Sequence, residues 1–397
     1  MKRLLSILSM TLILCLALGF APAAQASAIF NAEELFSARD LKQEADLSKA
    51  AAYNVSDGQD IHITASGIYV LTGSAKNVTV YVEAGTEDKV QIVLDGVTVT
   101  NTNFPVIYAK TADKVFVTVS ADSSLSVTGS FISDGSVNTD GVIFAKTDLV
   151  LNGTASLTVS STYNGIVCKD DLKITGGTYN ITAQSKAFEA NDSIRISDGT
   201  LNLIAGTDGL HAENAEDDTK GYIYVSGGTL TINAGDDAIH ANSVVQIDGG
   251  SFSIRAGEGI EGTYIQVNGG SINIQSADDG INAAHKSSAY RATVEINGGE
   301  ISVAMAGGDT DGIDSNGDII INGGSISVTG NSTFDYDGSA QYNGGTIIAN
   351  GQQLSYIPNQ MMGGGGRGGW GNMGGGSMNG GWGGSGGGRG GWGGRGR

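Results

Sequence analysis

The stretch YNGIVCKDDLKITGGTYNITA, residues 163–183, decides the fold. It holds three short segments in which apolar residues recur at every second position. Ile166 and Cys168 belong to the first, Leu172 and Ile174 to the second, Tyr179 and Ile181 to the third. A period of two is that of a strand with one buried face. Gly176 and Gly177 separate the last two segments, and glycine admits the positive φ that a sharp bend needs. Taken alone, such a pair of strands would be a hairpin.

The neighbouring sequence argues against a hairpin. The pattern apolar-x-apolar-x-Gly-Gly-x-apolar-x-apolar returns at residues 172–181, 222–232, 245–254, 265–274, 294–303 and 319–328. Each unit adds a further apolar element after its second strand, and the units follow one another without a break. Repeating coils of three short strands form a solenoid. The expected fold is all-β: a single right-handed parallel β-helix over residues 53–358. Uneven unit lengths are then loops inserted at corners.

The third element aligns as five-residue blocks at 105–109, 141–145, 164–168, 186–190, 208–212, 237–241, 258–262, 279–283 and 311–315. The third position is always Ile, Leu or Phe, and the fifth is Ala, Cys, Gly or Ser. Residues two apart share a strand face, so both point into the core. Cys168 is therefore expected as a buried packing residue. It is the one cysteine left once the leader is removed, which excludes an internal disulfide.

Chemistry is expected at the first and fourth block positions. The fourth reads Tyr108, Phe144, Val167, Glu189, His211, His240, Glu261, Asn282 and Asp314. The later first positions are Asp208, Asp237, Glu258, Asp279 and Asp311, and Asp236, Asp278 and Asp309 add carboxylates beside them. Like charges stacked at the strand spacing of about 4.8 Å repel. Two calcium–oxygen bonds of about 2.4 Å span that distance. The expectation is that Asp208, Asp236, Asp237, Glu258, Glu261, Asp278, Asp279, Asp309, Asp311 and Asp314 ligate Ca2+. His211 and His240 share one column and suit contact with a substrate, since imidazole is a poor calcium ligand. Lys169 and Lys286, the basic residues near these columns, complete the expected substrate-binding set.

Charge narrows the partners. The formal net charge is −19. The leader carries two basic residues and the last 37 residues carry four Arg, neither with any acid, so the rest holds all 41 acids against 16 Lys and Arg, a net of −25. Such a body repels nucleic acid and anionic membranes. At the N-terminus, Lys2 and Arg3 precede an apolar run ending at Phe20 and two A-x-A sites, Ala24–Ala26 and Ala26–Ala28. This is the pattern of a secretory signal over residues 1–26, which implies an extracellular or cell-surface destination with no retained transmembrane segment. Residues 27–52 read as a linker or capping segment. Residues 359–397 read as a flexible Gly-, Arg- and Trp-rich tail, with 22 Gly in the last 37 residues, suited to weak self-association. No serine-hydrolase nucleophile elbow and no H-E-x-x-H motif occur.

Three stretches together resemble a known family: TASGIYVLTGS (64–74), VQIVLDGVTVTN (90–101) and residues 163–183. They resemble the secreted bacterial carbohydrate-binding β-helix proteins first recognised in cellulolytic clostridia, which are similar in fold to calcium-dependent pectate lyases. The resemblance implies binding of cellulose or of acidic pectic chains with bound calcium and without established catalysis. The family's D-G-I block is similar to Asp208-Gly209-Leu210, Asp279-Gly280-Ile281 and Asp311-Gly312-Ile313, and is altered at Lys186-Ala187-Phe188 and Glu258-Gly259-Ile260. The leading expectation is non-catalytic, calcium-dependent polysaccharide binding at the bacterial surface. The alternatives are a calcium-dependent polysaccharide lyase and a structural adhesin or matrix protein.

Overall fold

The computed structural model describes residues 28–307 and 310–360. The expectations placed on the signal segment, on the tail from 361 onward and on Asp309 lie outside the described residues.

The chain winds as a parallel β-helix with three faces. The five-residue blocks form one sheet of twelve parallel strands, from Ile61–Ile63 to Ser332–Tyr336. The strands before and after the glycine corners form two flanking faces. These faces are joined where the long early strands Gly67–Lys76 and Lys89–Asn101 run through both. The glycine corners are not hairpins. Asp171–Ile174 pairs in parallel with Ser193–Ile196 of the next coil, and Thr178–Ala183 pairs with Thr200–Ala205. The antiparallel exception is the closing pair Thr346–Ala349 with Gln352–Leu354.

The corners show why two glycines recur. At Gly270 φ is +93°, in the left-handed region. A Cβ on Gly269 would come within 2.6 Å of the Asp248 carbonyl oxygen of the coil before. One glycine turns the chain and the other lets successive coils stack closely. Beside them runs a ladder of amides. Asn268 donates to Asp248 at 2.7 Å, Asn297 to Asn268 at 2.8 Å, Asn322 to Asn297 at 2.7 Å and Asn343 to Asn322 at 2.7 Å. The ladder satisfies polar groups at the corner that the later coils repeat.

Inside, the block register is the one the alignment expects. Ile107, Ile143, Ile166, Phe188, Leu210, Ile239, Ile260, Ile281 and Ile313 pair coil to coil along the sheet. All are buried, as is Cys168. Three further block strands escaped the alignment: Ile61–Ile63, Val80–Glu83 and Ser332–Tyr336. Their fifth-position residues, Ile63, Val82 and Tyr336, break the rule of a small side chain there.

Residues 28–50 lie along one flank of the helix. The short helix Ala32–Leu35 is capped by the Asn31 side chain, which accepts from the Glu33 N–H. Phe30 stacks on Tyr222 with ring centroids 4.3 Å apart, and Phe36 is buried against Tyr224 and Val244. Asp40 is 1% exposed and pairs with Lys173 at 3.0 Å and Lys114 at 3.4 Å. Gln43 donates to the Thr175 carbonyl and accepts from the Gly153 N–H. The segment thus crosses several coils and ties them together.

Two outcomes are expected. Ile281→Asp places an unpaired charge in the block core, so the variant should be insoluble or melt far below the wild type. Equal melting would contradict the inward register. Asp40→Ala leaves the buried Lys173 ammonium without its partner, a loss of about 3–5 kcal/mol by analogy with other buried pairs, readable in chemical denaturation. An unchanged midpoint would mean that the flank segment does not stabilise the coils.

Candidate functional site

The outward columns of the block sheet divide into three zones along the stack. The first is apolar. Tyr108, Phe144 and Val167 face out from the sheet but are fully buried, packed with Tyr81, Phe104 and Val137. Val137 comes from the loop 128–140, and Asp134 of the same loop accepts a hydrogen bond from the Tyr108 hydroxyl. The loop is the cover that these rings require.

The second zone is charged and internally balanced. Lys169 pairs with Glu189 at 2.6 Å, and Lys186 approaches the same carboxylate at 3.5 Å. His211 Nδ1 lies 2.8 Å from Asp208. Its ring stacks on that of His240, centroids 4.6 Å apart and 13° from parallel. His240 Nδ1 lies 2.7 Å from Asp237 and 2.8 Å from Glu261, and Lys286 closes the chain 2.9 Å from Glu261. Burial alone would lower the His240 pKa, but its hydrogen bonds to Asp237 and Glu261 outweigh that and hold it up at about 9. Burial would raise Glu261, yet His240 and Lys286 bring it down to about 2. The Asp237, His240 and Glu261 ligand atoms lie within 4.8 Å of one another, close enough for a metal. As an imidazolium, however, His240 has no lone pair to offer. Two carboxylates here meet two cations.

The third zone is acidic without such balance. Glu261, Asn282, Asp314 and Asp335 follow one another in register. Oxygens of Asp311, Asp314 and Asp335 lie within 4.8 Å of one another. Among the described residues, Glu258, Asp279, Asp314 and Asp335 form no ion pair with Lys, Arg or His. Burial raises Asp314 to about 7, reinforced by Asp279, Asp311 and Asp335. Burial likewise raises Glu258 to about 7 and Asp279 to about 6, with the neighbouring carboxylates adding to it. Asn282 donates to Glu258 at 3.1 Å, while its carbonyl oxygen Oδ1 is buried with no donor facing it. These are hard oxygen groups around an uncompensated negative potential, the chemistry that fits Ca2+.

The ten expected metal ligands therefore separate. Asp279, Asp311 and Asp314 gather with Glu258 at the acidic end. Asp208, Asp237 and Glu261 are engaged by the histidines and Lys286. Asp236 and Asp278 are exposed beside their blocks. The expected substrate-binding residues His211, His240, Lys169 and Lys286 all sit in the balanced zone, each held by a carboxylate. Asp335 was missed because the aromatic Tyr336 closes its block. The first block position also has a structural duty that spacing alone conceals. Asp208 accepts from the Asp237 N–H at 3.3 Å, Asp279 from the Asp311 N–H at 2.8 Å, and Asn164 from the Lys186 N–H at 3.1 Å. Each braces the backbone of the next coil.

A family described as carbohydrate-binding domain-containing protein matches residues 57–309 and again 256–353. The chain belongs to this carbohydrate-binding domain family. The two overlapping matches follow from the repeated coils, and the assignment agrees with the resemblance read from residues 64–74, 90–101 and 163–183. A carbohydrate-binding domain-containing protein of Acetivibrio thermocellus is 32% identical over 148 residues, 35% of this chain and 51% of that protein. The chain thus spans about half the length of this curated relative. A solved structure of a polysaccharide lyase-like protein from C. thermocellum, a gadolinium derivative, is 29% identical with a TM-score of 0.49, covering 56% of this chain and 93% of that one. Among the described residues no helix is long and apolar enough to cross a membrane.

The acidic zone sets a pH test. A carboxyl whose folded pKa lies above its unfolded value binds more protons when folded. Its stabilising contribution is present at low pH and is lost as the pH rises through the folded value. For Glu258, Asp279 and Asp314 that window runs from about 4 to about 7. In a chelator, Asp314→Asn should melt several degrees above wild type at about pH 8, and the difference should shrink as the pH falls and vanish below about pH 4. A lower melt at the higher pH would show that the ionised Asp314 is stabilising on its own.

Proposed function

We propose that this carbohydrate-binding protein holds Ca2+ at the acidic end of its block sheet and uses it to retain an acidic polysaccharide, without cleaving it, outside the cell. The observation that carries the reading is the gathering of Asp311, Asp314 and Asp335 oxygens within 4.8 Å of one another, one coil on from Asn282, whose Oδ1 is buried without a donor. Asp279 and Glu258 would add oxygens, a hard ligand set with no thiolate in it. A cation there relieves the mutual repulsion of the carboxylates, and Ca2+, which takes six to eight oxygens, can accept a uronate carboxylate as a further ligand. A protein body of net charge −25 needs such a bridge to approach an anionic glycan.

The basic residues support binding rather than lyase chemistry. A lyase must remove a proton with a base that is neutral when it acts. Lys169, Lys186, Lys286 and Arg291 are each ion-paired, to Glu189, Glu189, Glu261 and Asp318. The pairing with Glu261 overcomes burial and raises the Lys286 pKa, so its amine stays protonated. The leader pattern of residues 1–26 supports retention outside the cell.

Affinity electrophoresis in gels containing polygalacturonate checks the reading. Migration should be retarded in calcium and free in chelator, and Asp314→Asn should abolish the retardation. Ultraviolet absorbance of the incubated polymer should stay flat. Rising absorbance from unsaturated product would establish the lyase instead. Equal migration with and without calcium would remove the cation from the account.

A further inference from the structure

The first residues of the flank segment lie over a polar column that carries uncancelled charge. Strands Tyr222–Val225, Val244–Ile247, Tyr264–Val267 and Thr293–Ile296 stack so that Tyr224, Gln246, Gln266 and Glu295 follow one another in register. The Phe30 N–H donates to Gln246 Oε1 at 2.7 Å, and the Phe30 carbonyl accepts from Gln246 Nε2 at 3.0 Å. The Ile29 N–H donates to Gln266 Oε1 at 3.3 Å. Glu295 accepts from Gln266 Nε2 at 2.8 Å and from the Tyr264 hydroxyl at 2.6 Å. Beside the column, Asp248 accepts from the Tyr224 hydroxyl at 2.8 Å, from Gln246 at 2.9 Å and from Asn268 at 2.7 Å.

Two carboxylates thus meet amides and hydroxyls but no cation. Glu295 is 4% exposed. Among the described residues, neither Glu295 nor Asp248 pairs with Lys, Arg or His. Neutral donors satisfy the oxygens without cancelling the charge, and a buried charge lacking a counter-ion is costly. Ala28, Ile29, Glu34, Tyr224 and Asp248 line one cleft of about 520 Å³, again without a basic residue. The sequence holds a cation for this place. Ala26-Ser27-Ala28 is the second of the two A-x-A sites that follow the apolar run, and Ile29 comes directly after it. Ala28 is exposed, whereas Ile29 is the residue whose backbone nitrogen is aimed at the column. Cleavage after Ala26 would leave the new charge two residues before that nitrogen.

We infer that the Ala28–Ile29 bond is a processing site, and that the Ile29 ammonium released there is the cation of the Asp248 and Glu295 network. A peptidase of the export route adds water across the bond. The oxygen stays with the Ala28 carboxylate on the leader, and both hydrogens pass to the Ile29 nitrogen, which becomes –NH3+. One donor of the peptide N–H is replaced by three on a charged group beside Gln266, Asp248 and Glu295. The flank segment is then fastened across the coils only after the leader is gone. A precursor still to be threaded through an export channel lacks that fastening, and the exported chain acquires it. This device is independent of the proposed calcium site, which lies on the block sheet.

Two measurements test the inference. The full precursor is exported from a secreting bacterial host, and the intact mass of the product should begin at Ile29. Chains 29–397 and 27–397, each released from a cleavable fusion, are then melted side by side. Chain 29–397 should melt a few degrees higher at about pH 7. An ammonium held by carboxylates has its pKa raised on folding, so the gap should be full below the ordinary α-amino range, about 8, and should fade as the pH rises above it. The gap should close in the Asp248→Asn, Glu295→Gln double variant. An exported chain that begins at Ser27, equal melting of the two chains at about pH 7, or an undiminished gap in the double variant would each overturn the inference.

Discussion

Parallel coils stacked in register, about 4.8 Å apart, are the constraint on which the rest depends. Each side chain sits directly above its counterpart in the next coil, so a residue is never solved alone but as a member of a column. Inward columns are simple. Ile, Leu and Phe stack on one another, with small residues beside them, and a continuous core results. Outward columns must be solved by chemistry. Identical amides satisfy one another, as Asn268, Asn297, Asn322 and Asn343 do. Identical carboxylates cannot.

The protein answers that problem differently along its length. Where the column is aromatic, a loop covers it. Where it turns acidic, lysines and histidines enter: Lys169 at Glu189, His211 at Asp208, His240 and Lys286 at Glu261. This zone stabilises the stack across neutral pH. The His240 contribution is present below the ordinary imidazole range and fades as the pH rises through about 9. The Glu261 contribution is present above the ordinary carboxylate range and fades as the pH falls through about 2. At the last coils the basic residues stop while the carboxylates continue through Asp279, Asp314 and Asp335. The proposed cation is the remaining answer to the same stacking constraint, and the acidic glycan is its consequence.

Most of the fold was legible because columns leave a repeat in the sequence. The nine aligned blocks pair in the structure as aligned, since a one-residue slip would turn every inward Ile outward. Legibility failed where the repeat is modified. The end strands of the block sheet face one neighbour instead of two and accept Ile63 and Tyr336 in place of a small residue, and Val82, one strand in, packs beside Ile63, which hid three strands and Asp335. Corner loops were readable as insertions, but what they cover depends on tertiary placement. Tyr108 and Phe144 face outward as expected, and only the structure shows the loop 128–140 over them. The candidate site was half legible. Carboxylate positions follow from the register, but their neutralisation depends on Lys286 and His240, whose charges reach particular oxygens only in three dimensions. The buried Asn282 Oδ1 leaves no sequence signal at all.

The central claim concerns one place, the oxygens of Asp311, Asp314 and Asp335. The most direct measurement is a crystal structure grown in calcium, with anomalous scattering used to locate the ion. The account predicts an oxygen-coordinated ion between these three carboxylates and none at Asp237, His240 and Glu261. An empty acidic end in saturating calcium, or an ion seated at His240 instead, would contradict it.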